Sequence, residues 1–139
     1  MTLRKFDEKS LPTVDQILAL YDSVGWSIYT KNIDRLYLGL KESLYHLSVY
    51  EDQKLIALLR AVGDGQTIVF IQDLLVDPVY QGQGIGRALI QRVIEKYKDV
   101  YQIHLLTDRS SHQANAFYRA MNFTPVSEVD CVAYTYVKQ

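Results

Sequence analysis

Six consecutive residues near the middle of the chain, Gln81-Gly82-Gln83-Gly84-Ile85-Gly86, have the types and spacing to hold a phosphate. They follow a strand-like run and open a helix-like one. Glycine lets the chain turn tightly and lets a bulky ligand approach the backbone. The first N–H groups of a helix have no partner inside the helix and point toward any bound anion. A pyrophosphate could be cradled there without a lysine. A Walker loop is excluded, because Arg87 and Ala88 follow Gly86 where Lys and Ser or Thr are required. A dinucleotide fingerprint, Gly-x-Gly-x-x-Gly, is met at Gly82 and Gly84 but has Arg87 in its third place. Asp108, at the end of the next strand, stands near where a ribose-binding acid belongs. Against that reading, Asp77 to Tyr80 separate strand from loop, and the upstream chain reads as hairpins instead of βαβ units. A glycine turn that merely caps a helix is the plain structural alternative.

The elements around this loop follow from periodicity. Ile17, Leu18, Leu20, Tyr21 and Val24 recur at helical spacing, with Thr13 and Gln16 spaced as a capping box and Pro12 at the entry. A second helix is expected after Asn32, striped by Ile33, Leu36, Tyr37, Leu40 and Leu44. The aromatic stretch Gly25-Trp26-Ser27-Ile28-Tyr29 between them reads as a loop. Strands are expected over Tyr45 to Tyr50, Lys54 to Val62 and Thr67 to Val76, joined by turns at Glu51-Asp52-Gln53 and Gly63-Asp64-Gly65. The third begins almost wholly apolar, as a central buried strand does. Ile85, Leu89, Val93 and Tyr97 step by four, predicting a helix from Gly84 to Lys98, and Tyr101 to Thr107 reads as a strand. Strand, helix, strand predicts a parallel pair with a right-handed crossover. A short helix is expected over Ala114 to Met121, ended by Asn122. A short strand after Pro125 and a last strand over Cys131 to Val137 complete the expectation.

Composition narrows the function classes. The chain has 139 residues, enough for one domain with a full core, so a single domain over 1–139 is expected. A net charge of -1 gives no pull toward nucleic acid or an anionic membrane. Cys131 is the only cysteine, so no intrachain disulfide or cysteine-pair metal site can form. Met1 to Glu8 is polar and charged, unlike a signal peptide, and no apolar run nears the ~20 residues that span a bilayer. A cytoplasmic, reducing compartment is the expectation. His46, His104 and His112 show no pairing that suggests a metal site. His104 reads as a structural strand residue and His112 as a surface one.

Two segments carry a family resemblance. Ile71 to Leu89, with Asp77-Pro78, Tyr80-Gln81 and Gly84-Ile85-Gly86-Arg87-Ala88-Leu89, resembles the central motif of GNAT acetyltransferases, whose acetyl-CoA loop reads Gln/Arg-x-x-Gly-x-Gly/Ala. Gln81, Gly84 and Gly86 match that loop. Ala114-Asn115-Ala116-Phe117-Tyr118-Arg119-Ala120-Met121-Asn122-Phe123 resembles the family's second signature, with Asn122 in place of the usual glycine. Ser111 stands where the family often has a cofactor-contacting asparagine, and Asn115 is a nearby substitute. Phe117 and Phe123 read as core. A similar aromatic signature occurs in vicinal-oxygen-chelate metal proteins, which would need spaced His and Glu ligands.

The resemblance implies an α/β (α+β) fold: a mixed, mostly antiparallel sheet of about six or seven strands flanked by about four helices. It implies an acetyl-CoA-dependent N-acetyltransferase that acts on a primary amine, with no metal. Tyr118 would return a proton to the leaving thiolate; a phenol of pKa about 10 is protonated at neutral pH. Leu74, Leu75 and Val76 would meet the pantetheine arm through backbone groups, as an added strand does, with the Leu74 N–H near the thioester oxygen. Gln81, Gly82, Gln83, Gly84, Ile85, Gly86 and Arg87 would hold the phosphates, and Asn115 and Tyr118 complete the cofactor set. Asp73 is a candidate base or a structural strand acid. Trp26, Tyr29 and Gln72 would line the acceptor pocket, although core packing explains the aromatics equally well. The acceptor stays open between small-molecule and peptide amines, and a homodimer is compatible with the family. A CoA-binding sensor without turnover is the competing reading on the same fold.

Overall fold

A computed structural model describes residues 3–138. The chain divides into two compact units, Met1–Leu106 and Thr107–Gln139. The first holds strands β1 (Arg4–Asp7), β2 (Tyr45–Glu51), β3 (Lys54–Gly63), β4 (Ile68–Val76) and β5 (Gln102–Leu105), with helices α1 (Val14–Ser23), α2 (Ser27–Thr30), α3 (Ile33–Lys41) and α4 (Ile85–Lys96). The second holds α5 (His112–Ala120) and a 3₁₀ turn at Val126–Val129.

The sheet order is β1-β2-β3-β4-β5. All neighbours are antiparallel except β4 and β5, which run parallel across the α4 crossover. Alternation sorts the side chains onto two faces. Leu55, Leu58 and Leu75 meet Ile17, Leu20 and Tyr21 of α1 and Leu36 and Leu40 of α3 on one face. The opposite face carries Tyr45, Leu47 and Val49 beside their partners Ala61, Leu59 and Ala57. There the end of α4 is placed by Tyr97, whose ring lies 5.8 Å from that of Tyr45. Ile85, Leu89, Ile90 and Val93 of α4 are buried.

Local signals set the helix starts. The Thr13 hydroxyl accepts from the Gln16 N–H at 3.1 Å, and the Gln16 side chain accepts from the Thr13 N–H at 2.9 Å, closing the capping box. Asn32 caps α3 through Arg35 N–H.

One strand was not anticipated, and three expectations need correction. The charged N-terminal segment is a strand, because β1 pairs with β2 through backbone groups that its side-chain pattern does not reveal. The aromatic stretch around Trp26 contains the short helix α2. The segment after Pro125 is a 3₁₀ turn. Cys131 to Val137 makes no ladder and is exposed, since a strand needs a partner edge and none pairs with it among the described residues. The sheet of the described residues therefore has five strands, fewer than expected. No helix among the described residues is long and apolar enough to cross a membrane.

Gly63, at φ 135°, ends β3 with no room for a side chain: a Cβ there would lie 2.3 Å from the Ile68 carbonyl oxygen. Gly25, at φ 77°, has open space around the same position. Gly63→Ala should therefore cost more than ~1 kcal/mol, and more than Gly25→Ala, by urea denaturation. Equal losses would mean that the backbone at Ile68 yields freely.

Candidate active site

The site begins with a mismatch in the sheet. Arg60 pairs with Asp73 and Ala61 pairs with Ile71, so Gln72 is an extra residue on β4. Such a bulge bends its strand. The pairing with β5 ends at Ile71 opposite Leu105. From Gln72 to Val76, β4 therefore runs on with β3 on one side and, among the described residues, no strand on the other. The Asp77 N–H donates to the Ile56 carbonyl at 2.8 Å, toward β3. Alternation then turns the backbone groups of Leu75 toward β3, and those of Leu74 and Val76 away from it. The Val76 carbonyl agrees, since it accepts from Gln81 Nε2 at 3.0 Å. Leu75 is buried among the core side chains, so neither its side chain nor its backbone faces the open side.

The bulge is held from within. Arg60 Nε donates to Asp73 Oδ2 at 2.8 Å, and both side chains are nearly inaccessible to solvent. The Tyr21 hydroxyl donates to the same oxygen at 2.9 Å. The other carboxylate oxygen accepts from the Tyr29 hydroxyl at 3.4 Å. Burial, and then the Asp73 charge, push the Tyr21 hydroxyl far above its usual range, so it stays a donor. Burial works against the Arg60 charge, but the Asp73 carboxylate outweighs it and raises the guanidinium above its ordinary value. Gly39, in the middle of α3, makes room for this pair: a Cβ there would lie 3.3 Å from Arg60 Nη1.

Arg60 and Tyr21 were absent from the sequence-derived site. A signal existed for Arg60, a charge inside the otherwise apolar β3 that burial obliges to find a partner. Asp73, read as a candidate base, has its carboxylate taken up by these donors.

Three aromatic rings line the same region. Tyr21 lies edge-on to Trp26 and to Tyr29, at 6.0 and 5.5 Å, and Trp26 is 6.1 Å from Tyr29. Trp26 and Tyr29 are half-buried against the α1 and α3 core, so the packing explanation accounts for part of each ring. Gln72 adjoins Tyr29, its Nε2 lying 3.4 Å from the Tyr29 hydroxyl.

The glycine loop adjoins the open side of β4. Asp77 caps the 3₁₀ turn Pro78–Tyr80 through the Val79 N–H at 3.0 Å and is 3.5 Å from Lys54 Nζ. Gly82 and Gly84 take left-handed φ values of 80° and 81°, with nothing within 4 Å of where a Cβ would stand. Gly84 is the N-cap of α4 and offers no side chain to its first N–H groups. That is an open, uncapped helix start of the kind that holds anions. The Gln83 side chain accepts from Arg4 at 3.0 Å and Gln81 is tied to Val76, so both glutamine side chains brace the loop. Ile85 is buried in the core, and Arg87 is exposed.

In the second unit, Ser111 caps α5 through the Ala114 N–H. Asn115 Nδ2 donates to the carbonyls of Asp108 and Ser111, at 2.9 and 2.7 Å, so its amide hydrogens secure the entry to the helix. Only its Oδ1 remains for a ligand. Tyr118 packs its ring against Phe117 and Phe123, at 5.1 and 6.0 Å. Burial raises the Tyr118 hydroxyl above its ordinary value, so it is protonated at neutral pH. No side chain or backbone group among the described residues hydrogen-bonds that hydroxyl.

Residues 11–123 match the acetyltransferase (GNAT) family. A histone acetyltransferase of Glycine max is 35% identical over 123 residues, covering 79% of this chain and 51% of its own length. The chain spans about half the length of the curated relatives it matches first. A solved GNAT family acetyltransferase from Streptococcus pneumoniae superposes with a TM-score of 0.86 at 31% identity, over 99% of both chains. An aminoglycoside N-acetyltransferase solved in complex with CoA shares the fold, with a TM-score of 0.76 at 12% identity over 100% of this chain and 96% of its own. The chain belongs to the GNAT acetyltransferase family. That membership sets aside the vicinal-oxygen-chelate reading of the second signature.

Removing Arg60 would leave a buried carboxylate without its cation. Arg60→Met should lose about 3–5 kcal/mol of stability in urea denaturation. Arg60→Met with Asp73→Leu should recover much of that loss. A double variant no more stable than the single one would show that the pair does not act as a unit.

Proposed function

We propose that the chain is one acetyltransferase domain that moves the acetyl group of acetyl-CoA to a primary amine by direct attack in a ternary complex. The observation that carries this reading is the uncapped start of α4, opened by Gly82 and Gly84, beside a β4 edge that has lost its neighbour. The residues fit the cosubstrate: two side-chain-free positions with open space for phosphates, and a strand edge for an extended polar arm. Bound acetyl-CoA supplies an acyl group already activated as a thioester.

The chain's own groups then divide the work. The N–H groups at the start of α4 hold the pyrophosphate, and the helix dipole adds to the attraction. The outward-facing backbone groups of Leu74 and Val76 pair with the pantetheine arm as a neighbouring strand would. The Leu74 N–H is aimed to steady negative charge on the thioester oxygen. Tyr118, protonated and without a competing partner, gives its proton to the departing sulfur. Asp73 holds the bulge, since Arg60 and Tyr21 engage its carboxylate, and the acceptor amine loses its proton to water. Trp26, Tyr29 and Gln72 form an aromatic and amide wall for a small-molecule or peptide amine. A reducing compartment of cytoplasmic type suits the lone exposed Cys131.

Saturating acetyl-CoA should raise the thermal midpoint of the purified protein, while NADH should leave it unchanged. Gly84→Asp should abolish the shift by filling the cradle with a like charge. Tyr118→Phe should keep the shift but lower kcat by ~10²–10⁴-fold. A variant that lost binding and turnover together would remove Tyr118 from the role of proton donor. Binding without turnover in the parent protein, across a panel of amines, would favour the sensor reading.

A further inference from the structure

The end of the sheet from which β4 runs into the glycine loop carries a row of alternating charge. Pairing sets Glu51 opposite Arg4 on one side and opposite Lys54 on the other. Side chains directly opposite on neighbouring strands interact. Arg4 Nη2 donates to Glu51 Oε1 at 2.9 Å. Lys54 Nζ reaches Asp77 Oδ2 at 3.5 Å and lies 5.3 Å over the Tyr80 ring. The Tyr80 hydroxyl donates to Glu51, which lifts it above its ordinary value. The same Arg4 nitrogen donates to Gln83 Oε1 at 3.0 Å, across 79 positions of the chain. Asp77, Tyr80 and Gln83, all between β4 and α4, are thus held by the ends of β1, β2 and β3.

Stability does not explain this row. The Arg4 and Lys54 side chains are 32% and 58% exposed, and exposed ion pairs add little to folding. The row instead holds a segment that would otherwise be loose. Gly82 and Gly84, both left-handed, flank Gln83, and glycine loses more conformational freedom on ordering than any other residue. A ligand that had to order this loop itself would bind more weakly. Gln83 is the one residue between the two glycines, so the bond from Arg4 fixes the loop at its middle.

We propose that Arg4 is a positioning residue for the cosubstrate: oriented by Glu51, it holds Gln83 and keeps the glycine loop in its anion-binding shape before acetyl-CoA arrives. Strand β1 thereby sets cosubstrate affinity, and Arg4 acts through the loop without touching the phosphates. The identity of the ligand rests on the acetyl-CoA reading; the brace itself does not.

Calorimetric titration with acetyl-CoA tests this without an acceptor amine. Arg4→Gln and Gln83→Ala should each raise the dissociation constant roughly 3–10-fold and leave the urea midpoint unchanged. Lys5→Gln removes the same charge from the next position of β1 and should change the dissociation constant by less than about twofold. Arg4→Gln placed in the Gln83→Ala background should add less than about twofold, because its partner is already gone. In ligand-free protein, hydrogen–deuterium exchange at the Gln81 and Ala88 amides, which bond within the turn and to the Gly84 carbonyl, should be at least roughly threefold faster in Arg4→Gln. Additive losses would make Arg4 a direct phosphate contact, and an equal loss in Lys5→Gln would make its effect one of long-range charge. Either result would overturn the proposal, as would unchanged exchange at Gln81 and Ala88. A parent protein that binds no acetyl-CoA would instead remove the acetyl-CoA reading, and the exchange comparison would still decide whether Arg4 holds the loop.

Discussion

The course of β4 through the candidate site depends on one buried ion pair. Asp73 and Arg60 face each other across β3 and β4 at the point where the register slips by one residue. A bulge on its own is a loss of pairing. Here it is held by a charge-assisted bond at 2.8 Å, and Tyr21 brings a second donor from α1 to the same oxygen. The helix layer and the sheet are thereby locked together at the bulge. The direction of the next four backbone groups follows from that lock. Leu74 and Val76 turn away from β3 because Asp73 and Leu75 turn toward it.

The same logic of unmet bonding runs through the rest of the site. Buried polar groups in folded proteins almost always find partners. This chain spends its side chains on bracing the loop while leaving backbone donors at its mouth. Gln81 and Gln83 reach away to Val76 and Arg4, and Gly84 caps α4 with nothing. The left-handed backbone at position 84 suits glycine and would strain a serine or aspartate, so the usual capping side chains are excluded there and the first N–H groups of α4 carry no side-chain cap.

The longer helices were legible in the sequence because their signals are local. Thr13 with Gln16 and the four-residue steps of α4 need no knowledge of the rest of the chain. The glycine loop was legible for the same reason, and the two motifs sufficed to indicate the family. What escaped was long-range. β1 looks like a charged tail until β2 is set beside it. Asp73 looked available for proton transfer because its partner lies on another strand, and the bulge at Gln72 decides that the two meet. Cys131 to Val137 has the residue pattern of a strand, yet no ladder forms on it among the described residues. Pattern reports what a segment is able to do, and pairing depends on what lies next to it.

Gly39 ties α3 to these constraints. A glycine inside a helix costs ~1 kcal/mol against alanine, and α3 bears that cost where a Cβ would press on the Arg60 guanidinium. Positions 39, 60 and 73 are therefore not free to change one at a time. An alanine at 39 needs the guanidinium to give way by a few tenths of an ångström, and removing either Arg60 or Asp73 alone leaves the other as a buried charge without its partner. The ion pair is therefore a unit whose two members change together or at a cost, and position 39 sets how closely α3 can pack against it.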